Sequence, residues 1–99
     1  MTKIYLITYT PGLYFNREVF HKYITSLYPR HISDWWHYID TTYLVASSLN
    51  PNQLYSLIFP GVPGRYLFII EVDPNVAQGW LPNEAWTWLQ KYQRKPGRV

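Results

Sequence analysis

The sequence has no cysteine among its 99 residues. That absence excludes a disulfide framework, a thiolate zinc site and a cysteine nucleophile together, and it fits a protein of the reducing cytoplasm. Long apolar runs are missing too, since none approaches the roughly 20 residues of a membrane helix. The stretch 4–9 is too short, and too rich in Tyr and Thr, for a signal peptide. Neither export nor membrane spanning is expected. Charge is sparse at 15% of residues, and no G-x-S-x-G, P-loop, H-E-x-x-H or G-x-G-x-x-G pattern occurs. No cofactor is expected, and Gly61-Val62-Pro63-Gly64 reads as a turn rather than a phosphate cradle.

What the chain does have is apolar and aromatic bulk. Hydrophobic residues make up 47% and aromatics 19%, with ten Tyr and five Trp, so disorder is excluded and one core is expected. The net charge of +3 is concentrated at the C-terminus, where Lys91, Arg94, Lys95 and Arg98 lie. Nine bases less those four leaves five against six acids, a nearly neutral body. Residues 94–99 read as a flexible basic tail, either solubilising or an arm for nucleic acid.

Periodicity gives the elements. Residues 3–9 alternate as a strand and stop at Thr10-Pro11-Gly12. Val19, Phe20, Tyr23, Ile24 and Leu27 then fall at helical spacing. Asn16 is the N-cap, Phe15 and Phe20 form a hydrophobic staple, and Pro29 is the expected stop. From Trp35 to Ser47 period two returns around a turn at Asp40-Thr41-Thr42, a β-hairpin. Asn50, Pro51 and Gln53, with Leu49 and Leu54 as a staple, start a short second helix. The run 65–72 reads as a strand covered on both faces. Pro82 at the first helical position opens a last helix, in which Glu84 complements the positive end and Trp88 stacks on Tyr92.

The order predicts an α+β fold: a βαββαβ sandwich with an additional C-terminal helix, one domain over residues 1–93. Interlocked right-handed crossovers place both crossover helices on one sheet face. The opposite face is left bare, yet both alternating sets of strands one, three and four are apolar. The extra helix, a second subunit, or both must cover it. Tyr and Trp suit an interface that is buried but not wholly dry, which favours a homodimer.

Few constellations carry chemistry. His37 has Asp34 and Asp40 three residues away on either side, a conceivable metal site, although residues three apart on a strand face opposite ways. The plainer reading is a hairpin histidine bonded to a neighbour. His21 is exposed by helical phase, and His31 follows Pro29-Arg30 in a loop. Glu71 and Asp73, at the end of the fourth strand, read as edge-limiting acids. Arg30 with Trp35 and Trp36 could stack on the bases of a single strand, with Lys91, Arg94 and Lys95 adding phosphate contacts.

Three segments carry a family resemblance: Ile4-Tyr5-Leu6-Ile7-Thr8-Tyr9, the hairpin from Trp35 to Val45, and Gly79-Trp80-Leu81-Pro82-Asn83-Glu84-Ala85-Trp86-Thr87-Trp88-Leu89. Together they resemble the small bacterial proteins grouped as the SinR family. In layout these are similar to the ferredoxin-like dimeric subunit of the CRISPR adaptation complex and to VapD-type ribonucleases. The resemblance implies a ferredoxin-like fold and a dimer, and, for the nucleases, a metal held by an aspartate at the end of strand one. Where those nucleases read Tyr-Asp, this chain reads Tyr9-Thr10. A threonine hydroxyl is a poor substitute for a carboxylate on Mg²⁺, which argues against cleavage.

The leading expectation is a non-enzymatic homodimer that binds nucleic acid or a defence-related protein. The alternatives are a divergent metal-dependent endoribonuclease using Asp34, His37 or Asp40, and a structural oligomerisation module.

Overall fold

The computed structural model describes residues 2–11, 15–62 and 66–93. The proposed tail, including Arg94, Lys95 and Arg98, lies outside them. Strand β1 (Lys3–Tyr9) is followed by helix α1 (Arg17–Thr25), the hairpin of β2 (Asp34–Ile39) and β3 (Thr42–Ser47), and helix α2 (Pro51–Ile58). A 3-10 turn at Phe59–Gly61, strand β4 (Leu67–Glu71) and helix α3 (Asn83–Gln90) complete the order. The four strands lie in the order β2-β3-β1-β4, every neighbouring pair antiparallel. This is the βαββαβ, ferredoxin-like topology with a C-terminal helix.

Local chemistry explains the helix starts. The Asn16 side chain accepts the Val19 amide, and the Phe15 and Phe20 rings sit 5.6 Å apart, so the cap and the staple fix where α1 begins. At α2, Asn50 and Gln53 bond each other's backbone in a reciprocal capping box, with Pro51 inside the first turn. Helix α1 ends at Thr25, four residues before Pro29, because Ser26 already closes it on the carbonyls behind. Pro82 is the N-cap of α3 rather than its first helical residue.

Strand alternation divides the side chains into two cores. On one face Tyr5, Ile7, Tyr9, Tyr43 and Val45 pack under α1 and α2 with Phe20, Ile24, Leu54 and Ile58. On the other, Ile4, Trp36, Leu44 and Ala46 pack against Ala85, Trp88 and Leu89 of α3. The extra helix therefore folds back on its own sheet and covers part of the second face.

Strand β4 departs from expectation. Leu67 and Ile69 pack toward α2, but Phe68 and Ile70 are 56% and 43% exposed, so the strand is covered on one face only. The reason is topological: β4 is an edge strand, and α3 lies over the β2 side of the sheet. Val19 departs likewise, pointing outward from α1 despite its apolar character.

Candidate functional site

Three places on this scaffold bring functional groups together. The first is where the end of α3 meets the start of β2. The Asp34 carboxylate accepts hydrogen bonds from Lys91 Nζ and Tyr92 Oη, both at 2.7 Å, and from the Trp35 amide at 2.9 Å. Partial burial pushes the Asp34 carboxyl up. The donors Lys91, Tyr92 and Trp35, with the nearby Trp88 indole, outweigh it and hold the group below the usual carboxylate range. The same contact pushes the Tyr92 phenol up, through burial first and the adjacent anion second. The Trp88 and Trp36 indole nitrogens, both buried, make no hydrogen bond of good geometry.

The second place lies between α1 and the hairpin. His21 is half-buried rather than exposed: its Nδ1 is 2.6 Å from Tyr43 Oη, and its ring meets Trp35 edge-on at 5.3 Å. Helical phase misses this because the hairpin rises against α1 and covers its flank. His37 stacks on Tyr43 at 4.0 Å and 9°, and bonds through Nε2 to the Asp40 carbonyl at 2.8 Å, as the plainer reading expected. The two imidazole rings are 5.6 Å apart. Burial, then the neighbouring His37, pushes His21 below its ordinary value of 6.5.

Asp34 and Asp40 do not converge on His37. Arg17 holds the Asp40 carboxylate at 2.7 and 2.9 Å from Nε, at the turn end of the hairpin, while Lys91 holds Asp34 at the other end of β2. Among the described residues no group of three or more His, Asp or Glu could hold a metal ion. Thr10, just past the end of β1, accepts the Tyr66 amide at its hydroxyl at 3.1 Å.

The residues expected to meet nucleic acid are scattered. Trp36 is buried against the α3 core, so its ring face is unavailable to a base, and Trp35 is half-buried against the other core. Arg30 is exposed in the turn after α1. Lys91 is occupied by Asp34 and lies over the Trp88 and Tyr92 rings at 5.9 and 5.8 Å. Arg94 and Lys95 fall outside the described residues.

The third place is the part of the sheet that α3 leaves open. Phe68 and Ile70 stand beside Thr8 and Leu6 in register, and Tyr66, 84% exposed, continues the row just before the start of β4. A shallow hollow of about 340 Å³ runs here between Thr8, Thr10, Tyr66 and Phe68. Tyr38, on β2, exposes the same face at the far edge. Alternation marks this face as apolar; which part of it α3 leaves open follows from the edge position of β4.

Sheet order and helix placement define the class as α+β with ferredoxin-like topology. Compared with known proteins, the chain matches no family model, no curated protein and no solved structure.

Proposed function

We propose that the protein works by binding rather than by catalysis, as a homodimer whose copies meet over the open strip of the sheet along β4. The observation that carries this reading is the row Tyr66, Phe68 and Ile70, exposed together on an edge strand. An apolar edge of this kind is a liability unless something covers it. The row offers on the order of 300 Å² of side-chain surface per copy. A standard interface takes about 800 Å² from each partner, of which about 60% is apolar, so the strip supplies more than half of the apolar share required. The resemblance to SinR-family proteins points the same way, and that relationship is part of the proposal.

Nucleic acid is the ligand class this reading favours, through Arg30 and through Arg94 and Lys95, which follow in the sequence after Lys91, itself held by Asp34. Their contribution would be phosphate contact and counterion release, not base stacking on Trp36. The ribonuclease alternative draws no support from the geometry, because its three residues face different partners.

Light scattering on the full chain tests the first half. The expected mass is twice that of one chain, falling to one chain in Phe68→Glu; a monomeric wild-type protein overturns the reading. Gel shifts with single- and double-stranded RNA and DNA across a salt series test the second half. Salt-sensitive binding with intact nucleic acid in Mg²⁺ is expected, and turnover abolished by EDTA would favour the nuclease instead.

A further inference from the structure

His21 and His37 come from different elements, α1 and β2, and share one aromatic partner, Tyr43 of β3. A neutral imidazole can accept the Tyr43 phenol proton at Nδ1, whereas an imidazolium cannot. His37 uses Nε2 on the Asp40 carbonyl, which leaves its second nitrogen to take up a proton. We propose that this contact is a proton-operated joint: protonation of the His21–His37 pair drives the N-terminal half of α1 off the β2–β3 hairpin.

The groups that face the pair leave a second positive charge uncompensated. From α1, Arg17 stands one turn before His21, with Glu18 and Lys22 on the same helix. From the turn, Asp40 supplies a carboxylate, and Arg17 already holds it. From β1, Tyr9 donates to the Asp40 carbonyl. From β3 and β2, Tyr43 and Trp35 offer aromatic rings, and Tyr43 keeps its proton because burial pushes its phenol up. Two imidazolium rings 5.6 Å apart in this half-buried setting repel each other, and the repulsion acts across the α1–hairpin contact.

The other end of α1 is anchored independently. Tyr23 donates to the Leu57 carbonyl, and Gly61 lies against the Phe20 and Tyr23 rings. The helix therefore opens at its start and pivots near the 3-10 turn. Opening uncovers Tyr43, buried in the closed arrangement, and so converts acidification into new apolar surface.

NMR on the full chain tests this by following the histidine ring protons and amide exchange between about pH 8 and pH 5. The expected result is that protonation of His21, followed at its own ring protons, is linked to exchange in α1. Protection factors, which remove the intrinsic pH dependence of exchange, should fall about tenfold at the acid end for the amides of Val19 and Phe20, both bonded to Asn16, while those of β1 and β3 hold. In His37→Gln the His21 midpoint rises toward its ordinary value and the loss of α1 protection shrinks; His31→Gln changes neither. A His21 titration unlinked to α1 exchange, or α1 amides that stay protected throughout the acid range, overturns the proposal.

Discussion

Asp34 and Lys91 lie 57 residues apart in the chain and meet at 2.7 Å, and Tyr92 reaches the same carboxylate oxygen. This pair of donors fastens the last turn of α3 to the first residue of β2, so the helix that covers the second sheet face is held at its end as well as by its apolar side. Lys91 is half exposed, which screens its share. Asp34→Asn is expected to cost about 1–2 kcal/mol in urea unfolding, and Tyr92→Phe about 1 kcal/mol. The double variant should cost less than the sum, because both changes remove one bond.

The same carboxylate sets a pH dependence with a definite sign. Its folded value lies below the unfolded 3.8, so the unfolded chain takes up the proton more readily. The stabilisation is fully present above pH 3.8 and is lost as pH falls through the lowered folded value. Wild type and Asp34→Asn should therefore converge in stability toward the acid limit, measured by denaturant midpoints along a pH series. Parallel curves down to pH 2 would show that Asp34 is not held as described.

Gly61 marks the closest approach between the 3-10 turn and α1. A Cβ built there lies 2.9 Å from Phe20 Cδ1 and 2.9 Å from Tyr23 Cδ2, both ring atoms of packed aromatics. Neither ring can swing aside, since Phe20 is in the core and the Tyr23 hydroxyl is fixed on Leu57. Gly61→Ala should destabilise by about 1–3 kcal/mol, against the usual small change for alanine in a turn. Thermal unfolding provides the comparison.

Most of the architecture is local in origin and hence readable from residues alone. Asn16 with Phe15 and Phe20, and Asn50 with Pro51 and Gln53, declare their helices within six residues, and the alternation through Trp35 to Ser47 declares the hairpin. The sites are not local. The Asp34–Lys91–Tyr92 contact joins the two ends of the fold, and no spacing announces it. The position of His21 depends on the hairpin rising beside α1, which overrides helical phase. The apolar run of β4 looks fully covered because sequence cannot say which strand sits at an edge. Trp35 and Trp36 look like a stacking platform until alternation sends one ring into each core.

Four tyrosines give the chain an alkaline limit. Burial is the first cause that pushes Tyr5, Tyr9, Tyr43 and Tyr92 above the ordinary 10.0, helped by Glu71, by Asp40, by Tyr9 and Asp40, and by Asp34 respectively. Each folded value exceeds its unfolded one. Their stabilisation is whole below pH 10 and is lost as pH rises through the folded values. Absorbance of tyrosinate should therefore show a late group of phenols whose ionisation coincides with loss of the far-ultraviolet circular dichroism signal. If all ten ionise together near pH 10 while the fold persists, the hydroxyls are not buried as described.

Trp36 and Trp80 are the same residue type in opposite circumstances. Trp36 is buried between Leu44 and the α3 residues, whereas Trp80 is 100% exposed in the segment leading to α3. Truncating Trp36 removes contacts from both the sheet and the helix and leaves a cavity, so Trp36→Ala should cost about 3–5 kcal/mol. That is comparable to a large part of the stability of a domain this size, and α3 should lose protection first. Trp80→Ala should change stability by no more than about 0.5 kcal/mol, since its ring covers nothing in the single chain. Acrylamide quenching separates the two further: Trp80→Phe should remove the most accessible fluorescence, and Trp36→Phe the least. If Trp80→Ala instead lowers the melting temperature in a way that depends on protein concentration, the ring lies at a contact between copies, and the proposed dimer surface extends from β4 toward this segment.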